Sequence, residues 1–577
     1  MVLEPGPCST VSLVLAPTCM SEERRAKLML ERIPPNSRQK LYLILVFASL
    51  NLLFLGIWQT GPVIVQPDAP LGLASYLPAL YWIGLALIVL VSVLAFLDRE
   101  VERDAVFITI LIALGLFLYG IRVFLYECAQ DTDSYYPVSV VRQLLAEHHL
   151  DIGSSPTIWS YYSWPAIHFL SASLLEVTQA DLLAIMKYTP LFWIPCFVFI
   201  TYGIGKRLKL TPDRCFLLSV LALSSWVLSY SAFYYPRFPA VIFLLLILML
   251  SLMPRRAVPD SIAITLMFGA LVISHGEVAI ATILGMVLLA VFRREYRPAI
   301  VLLIVVFGAW YLYQASTYVE FGIKYLSNFL RDLRDVTSTE TYQAPTAATG
   351  RLVARYSLML SLAMFGIMMI RSAIMLARRR ITGQSRDQVI VLFTWAIGLA
   401  SFAFFGQSQA LMRSFIKCIV PAVAIVVLTP TRRVLLVAVM CVFVGLSLFV
   451  NYADIAGFGQ ATVSSLAGAK YLALEVKPDS YFADTRSSLA RYYDPSEATI
   501  KVTGALGVGT VLPTKADLSL LDSFQYVVIG EETSNALVFG WGKDPYLEWP
   551  NTDGGSAANL IYDNGHYWIY GNNATNK

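Results

Sequence analysis

Charge is scarce in this chain: Asp, Glu, Lys and Arg make up 14% of its 577 residues, while 57% are hydrophobic. Soluble domains carry roughly 25% charged residues, so a water-facing globular class is excluded and a polytopic membrane protein is implied. Cysteine is sparse as well. Its seven copies, at 8, 19, 128, 196, 215, 418 and 441, show no CxxC spacing, several sit in apolar runs, and none follows residue 441. That pattern indicates neither a disulfide framework nor a zinc site. No long basic patch accompanies the net charge of +4, so nucleic acid is not an expected partner. No GxGxxG, Walker A, HExxH or GxSxG pattern occurs in a credible context, which removes support for nucleotide-driven transport and zinc hydrolysis. The short apolar patch near the N-terminus has no basic region before it and does not read as a signal peptide; Met20, ahead of "SEERR", is a second candidate start. Internal repeats and low-complexity tracts are absent too.

What is abundant is the apolar run of spanning length. Such segments lie near 41–60, 77–97, 104–126, 184–204, 213–232, 238–253, 259–274, 277–292, 299–315, 353–376, 388–406, 411–429 and 433–451. Arg24, Arg25, Lys27, Arg38 and Lys40 precede the first and put the N-terminus in the cytoplasm. Every second loop should then be basic. "DREVERD", "KRLKLTPDR", "PRRAVPD", "RREYR", "ARRRITGQSRD" and "TRR" all fall on that side. The alternation requires that 157–177, with Pro165, His168 and many aromatics, lies as a re-entrant or interfacial helix on the outer side without crossing.

The expected fold is therefore an α-helical membrane protein of about 13 transmembrane helices, N-terminus in and C-terminus out. Residues 1–40 form a cytoplasmic segment and 41–451 the transmembrane domain, with an outer loop and interfacial helices at 127–182. Residues 452–577 change composition to Gly, Asp and Asn turns and short alternating strands such as "FQYVVIGE" and "HYWIYG", with a helix expected around 484–493. This tail reads as an extracytoplasmic α+β domain with a core of its own. Asn573-Ala574-Thr575 in it fits a glycosylation sequon.

Two carboxylates, Asp131 and Asp133, sit at the outer mouth of the third apolar segment in "YECAQDTDSYYP". The residues after them recur at helical spacing, so 135–149 is expected as an amphipathic surface helix, with Asp133 and Ser134 as cap residues and Pro137 in the first turn. One Asp then serves as a cap. The other, in a partly desolvated membrane-level cleft, can act as a general base on a hydroxyl, and Asp131 is favoured because Asp133 is the better placed cap. The pair also offers oxygen ligands for a divalent cation, Mg or Mn, though two ligands alone are a weak metal signal and no cofactor is certain.

Tyr135, Tyr136, Trp159, Tyr161, Tyr162 and Trp164 surround the acids, an interfacial belt dense enough to suit sugar stacking. His275 and Glu277 place an ionisable pair at a tight outer turn between two apolar runs, either as a functional site or as an exposed turn built on Gly276. Arg413 opens a late span and Lys417 follows one turn below on the same face. Cations on the outer side suit a phosphate at headgroup depth. Arg237, Arg351 and Arg355 add outer charge, as do Arg331 and Arg334 in the long loop 316–352.

With acidic residues in the first large outer loop, an interfacial helix pair after them and a late span carrying "R…VPA", the chain resembles the GT-C superfamily of integral membrane glycosyltransferases. The likeness covers about 104–451 and is closest to prokaryotic, especially archaeal, members, through "WP..H" at 164–168, "SHGE" at 274–277 and the tail "NLIYDNGHYWIYGNN". It implies a polyprenyl-phosphate-linked sugar donor and a glycan, lipid or protein acceptor. Asp131 or Asp133 would be the base and Arg413 the ligand of the lipid phosphate, with Lys417, His275 and Glu277 beside it. Tyr135, Tyr136, Tyr161, Trp164, His168 and Arg237 would contact substrate. No WWDYG-like segment occurs in the tail, which argues against an oligosaccharyltransferase. The rival reading is a transporter or flippase of glycolipids, for which the mid-membrane charges and repeated halves are missing. A non-catalytic assembly protein displaying its outer domain is the third.

Overall fold

Apolar runs bounded by basic or proline-containing turns become helices here, because the backbone of a lipid-embedded segment must satisfy its own hydrogen bonds. A computed structural model describes residues 34–65, 69–101, 103–129, 134–149, 163–225, 234–252, 257–316, 349–402, 408–452, 461–475, 480–483, 500–502, 526–530, 558–564 and 567–572. The first helices are α1 (Pro35–Thr60), α2 (Ala79–Leu97) and α3 (Asp104–Leu125). Two short helices follow, α4 (Tyr135–Glu147) and α5 (Ala166–Thr178). Next come α6 (Leu182–Arg207), α7 (Pro212–Leu223), α8 (Arg237–Ser251), α9 (Ala257–Val272), α10 (Gly276–Phe292) and α11 (Arg297–Tyr313). The bundle closes with α12 (Thr349–Ala377), α13 (Gly383–Ser401), α14 (Ser408–Leu428) and α15 (Arg433–Tyr452).

Among the described residues, seven helices are long and apolar enough to cross a membrane: Asn36–Thr60, Ala79–Leu97, Asp104–Leu125, Leu182–Arg207, Arg294–Tyr313, Leu352–Ala377 and Arg433–Tyr452. Others in the apolar runs are shorter. Arg237–Ser251, for example, has 15 residues, or about 23 Å against a hydrocarbon thickness of about 30 Å. Helix α5, with 13 residues, is shorter still.

Polar ties gather the ends that carry the basic loops. Arg38 Nη1 lies 3.3 Å from Asp98, which also accepts from Tyr42 Oη at 3.0 Å. Lys206 meets Asp104 at 2.9 Å, Arg433 meets Asp213 at 2.6 Å, and Lys209 donates to Gln384 at 3.3 Å. All these contacts join helix termini, or the turns beside them, at the same end of the bundle. The candidate functional residues whose side chains are described, Trp164, His168, Arg237, His275 and Glu277 among them, fall at the opposite end.

Between the ends, close packing holds α10 against α13. A Cβ on Gly398 would lie 2.5 Å from Gly285 Cα, and a Cβ on Gly285 would lie 2.6 Å from Trp395 Cε3. The two helices therefore touch backbone to backbone, as small residues allow in membrane interfaces. Trp395 Nε1 donates to Ser251 Oγ at 2.9 Å and so ties α13 to α8.

Helix α16 (Val463–Glu475) follows the bundle, an element that the sequence patterning does not announce. The tail then forms a five-stranded sheet from β1 (Ser480–Ala483), β2 (Ile500–Val502), β3 (Tyr526–Gly530), β4 (Ala558–Asp563) and β5 (Tyr567–Asn572). Its order is β2-β1-β3-β5-β4, parallel from β2 to β3 and antiparallel beyond. Strand β3 falls inside "FQYVVIGE", and β5 covers most of "HYWIYG". Tyr471 of α16 stacks on Tyr562 of β4 at 4.4 Å, and Asn564 Nδ2 donates to Ser464 O at 2.8 Å, so the sheet hangs from α16. The helix expected around 484–493 and the sequon at 573–575 lie outside the described residues.

Candidate functional site

A second hydrophobic core, separate from that of the main bundle, forms at the end away from the basic loops. It contains Ala129, Tyr135, Val138, Val141 and Leu144 from the α4 region, Ile167 and Ala172 of α5, Leu182 and Met186 of α6, Tyr234, and Ala461, Leu466 and Ala469 around α16. The periodicity read from sequence places Val138, Val141 and Leu144 on one face of α4, and that face is what this core buries. The start of α4 departs from expectation. Ser134 stands at the N-cap, but its backbone is helical (φ −69°, ψ −20°) and its side chain makes no cap bond. A capping hydroxyl needs an extended backbone to aim at the first free N–H groups. Ser134 Oγ is instead fully buried, with no hydrogen-bond partner among the described residues.

Asp131, Asp133 and Tyr161 lie outside the described residues, as do Trp159 and Tyr162. The chain on either side of the acids is held firmly. Tyr135 Oη donates to Ala129 O at 3.4 Å and closes the ends of the acidic stretch upon each other. Upstream, Lys187 Nζ of α6 donates to Glu127 O at 3.1 Å, and Val63 N donates to Leu125 O at 2.7 Å. Glu127 Oε2 accepts from Val463 N at the start of α16, at 3.4 Å. Burial, with the charge of Glu127 added, pushes the Cys128 thiol up to about 11. Tyr135 itself is fully buried. Tyr136 lies in α4, its side chain outside the described residues.

The segments "WP..H" and "SHGE", more than a hundred residues apart, meet. Ala166 N donates to Ile273 O at 3.2 Å, and the Trp164 indole stacks on the His275 ring at 6.2 Å with 19° between planes. Tyr311 of α11 packs on Trp164 at 5.8 Å, and Trp310 Nε1 donates to Ser163 O at 3.1 Å. Gly276 makes this possible: a Cβ there would fall 2.1 Å from Tyr311 Oη and 2.4 Å from Trp164 Cη2. Glu277 stands in the first turn of α10. His168 is fully buried on the inner face of α5, where Ser171 Oγ accepts from Tyr234 Oη at 2.6 Å. Burial raises the Tyr234 phenol above its ordinary value. Helix α5 turns Phe169, Leu170, Leu174 and Val177 outward.

Arg237 opens α8 half-buried, and its Nε atom is buried with no hydrogen-bond partner among the described residues. Arg413 and Lys417 share α14, four residues apart. The Arg413 side chain lies outside the described residues, whereas Lys417 is buried at 2% exposure with Nζ 3.8 Å from the Phe402 ring centroid. A cation over an aromatic face is attracted by the ring quadrupole. Arg351 and Arg355 stand in α12 with their side chains outside the described residues, and Arg331 and Arg334 lie wholly outside them. Among the described residues no three His, Cys, Asp or Glu side chains gather into a metal-binding set.

Sequence reasoning does not single out Tyr311, Trp310 or Tyr234, since aromatics at the ends of apolar runs are common wherever a helix meets a membrane interface. It misses Arg122 as well, although an arginine inside an apolar run is a signal that such reading can use.

The sequence matches no protein-family model and no curated protein. Among solved structures, the chain is similar to the Archaeoglobus fulgidus oligosaccharyltransferase in its apo form, with TM-score 0.47 and 12% identity over 83% of this chain and 75% of that one. The same enzyme tethered to an acceptor peptide containing the NVT sequon gives TM-score 0.45 at 12% identity, over 81% and 74% of the chains. ArnT from Cupriavidus metallidurans in the apo state gives 0.45 at 11% identity, over 82% and 98%. Overlap at this level is a likeness in outline, and the functional reading rests on the residues of this chain.

Proposed function

We propose that the chain is an integral membrane glycosyltransferase that moves a sugar from a polyprenyl-phosphate donor to a hydroxyl of an extracytoplasmic glycan, lipid or protein. The observation that carries the reading is convergence: the Trp164 and His275 segments meet at the bundle end where both flanks of the Asp131–Asp133 stretch are anchored. In this reading the chain crosses the bilayer about 13 times from a cytoplasmic N-terminus. The positive-inside rule then puts the site and the region from 452 onward outside.

A site facing outward has no cytoplasmic nucleotide sugar to draw on, so the donor arrives on a lipid whose tail lies among the spans. Asp131 takes the proton of the acceptor hydroxyl as its oxygen bonds to the anomeric carbon. The bond from that carbon to the lipid phosphate breaks, and the polyprenyl phosphate leaves with the electron pair. A single displacement inverts the configuration, through an oxocarbenium-like transition state. Arg413, with Lys417 one turn below it on α14, opposes the charge that grows on the departing phosphate. His275 and Glu277 sit at the start of α10, with Trp164 and Tyr311 fixing the turn from above.

The test is transfer by the purified full chain from a panel of polyprenyl-phosphate sugars, native against Asp131→Asn and Asp133→Asn made separately. Loss of the base removes about 10²–10⁴ in rate, and Asp131→Asn is expected to show it. A native protein that transfers no sugar but carries glycolipid across vesicle bilayers would replace the enzyme with a flippase. Cysteines introduced at 131 and 500 should both react with an impermeant reagent from outside; protection of either overturns the threading.

A further inference from the structure

One turn of α3 is wider than the rest. Residues Leu116–Gly120 form a π-helical turn, after which the chain resumes as α-helix over Ile121–Leu125 and enters the acidic stretch. A π-turn inserts one residue, so every side chain after it is rotated relative to an unbroken helix. It is pinned from several sides. Phe117 O accepts from Tyr81 Oη of α2 at 3.0 Å and from Tyr452 Oη of α15. Tyr119 Oη donates to Leu223 O of α7 at 2.5 Å.

The first charged group after the wide turn is Arg122, 5% exposed. Its Nη2 donates to Asn451 O and its guanidinium lies over the Tyr452 ring, 5.5 Å from the centroid. Asn451 and Tyr452 are the last residues of α15, so Arg122 supplies a cation and a donor to carbonyls that the helix cannot satisfy itself. Burying a guanidinium at this depth is costly, and an apolar side chain would fill the space more cheaply. What the arginine adds is a fixed distance between the end of the last span and the chain that delivers Asp131 and Asp133.

We propose that Arg122, set by the π-turn, is a positioning residue for the acidic stretch, holding Tyr126–Ala129 in register with the end of α15. The proposal rests on the glycosyl-transfer reading only for what the acids do. Its geometry stands apart from that reading: Arg122 fixes the upstream flank, and Tyr135 Oη on Ala129 O fixes the downstream one.

The experiment uses the full chain in nanodiscs as native protein, Arg122→Gln, Arg122→Lys and Tyr452→Phe. Amide hydrogen exchange is followed in peptides covering 126–135 and in peptides from α10. Arg122→Gln and Tyr452→Phe are expected to speed exchange over 126–135 at least tenfold with α10 unchanged, and Arg122→Lys, which keeps a cationic donor, to recover much of the protection. Exchange that stays native over 126–135, or that rises equally everywhere, overturns the proposal. Tyr452→Phe decides it if Arg122→Gln does not fold. In the transfer assay kcat should fall about tenfold in Arg122→Gln with donor KM unchanged. A native kcat despite faster exchange also overturns it. A native protein without transfer activity refutes the proposed reaction, while the exchange measurement still decides whether Arg122 positions the stretch.

Discussion

Replacing Gly276 by alanine tests the cluster that joins the two distant segments. Gly276 opens α10, and alanine favours an interior helical position over glycine by roughly 0.8–1 kcal/mol. Propensity alone therefore leaves Gly276→Ala neutral or stabilising. Packing predicts the opposite. The new methyl would lie 2.1 Å from Tyr311 Oη and 2.4 Å from Trp164 Cη2, so each ring must retreat by about 1 Å or more to reach ordinary van der Waals separation. Overpacking of this kind costs roughly 1–3 kcal/mol, which exceeds the propensity gain over most of that range. Tyr311→Phe removes the nearest atom and Trp164→Phe the next, so either should cost less in the Gly276→Ala background than in the native one. The assay is a double-mutant cycle on unfolding free energies from reversible SDS titration in mixed micelles. A coupling of about 0.5–3 kcal/mol is expected. Additivity within about 0.3–0.5 kcal/mol, or a stabilised Gly276→Ala protein, would refute the arrangement.

Gly398→Ala should be harsher than Gly276→Ala, because its methyl meets the Gly285 backbone at 2.5 Å and no flexible side chain can give way. The upper end of the roughly 1–3 kcal/mol range or more is expected in the same titration. Asp98→Ala removes the buried carboxylate that faces the buried Arg38 guanidinium; about 3–5 kcal/mol is the cost of breaking a buried pair. Lys206→Ala, at the exposed Asp104 pair, should cost no more than about 1 kcal/mol, and equal losses for the two would contradict the burial described. Cys128 holds its proton more tightly folded than unfolded, against an ordinary value of 9.0. Its contribution to stability is therefore complete below pH 9 and lost as pH rises through about 11. Mass spectrometry of its alkylation in folded protein should show the rate climbing up to that range, and a plateau near pH 9 would be inconsistent with its burial.

The helices are legible because each apolar run announces itself by length and each turn by charge or proline. Contacts across the bundle are less so. "WP..H" and "SHGE" can be singled out in sequence, but nothing in either string says that Trp164 stacks on His275 or that Tyr311 covers Gly276; those contacts depend on where α5, α10 and α11 pack. Residue type marks Ser134 as a cap, whereas capping is decided by backbone angles. Arg122 is hidden for another reason. Its partner is a main-chain carbonyl 329 residues away, and backbone acceptors leave no mark in side-chain patterns. Helix α16 is obscured by the small residues of "VSSLAGAKYLALE", whose periodicity is weak.

The backbone contact of Gly285 with Gly398 also sets an order for biosynthesis. Gly398 leaves the ribosome 113 residues after Gly285, a delay of about 6–23 s at the usual elongation rates. Throughout that interval α10 waits without its neighbour. A bare glycine groove suits the wait, since the glycine itself brings no polar side chain that must be paired. The last third of the chain can then dock onto a surface already made.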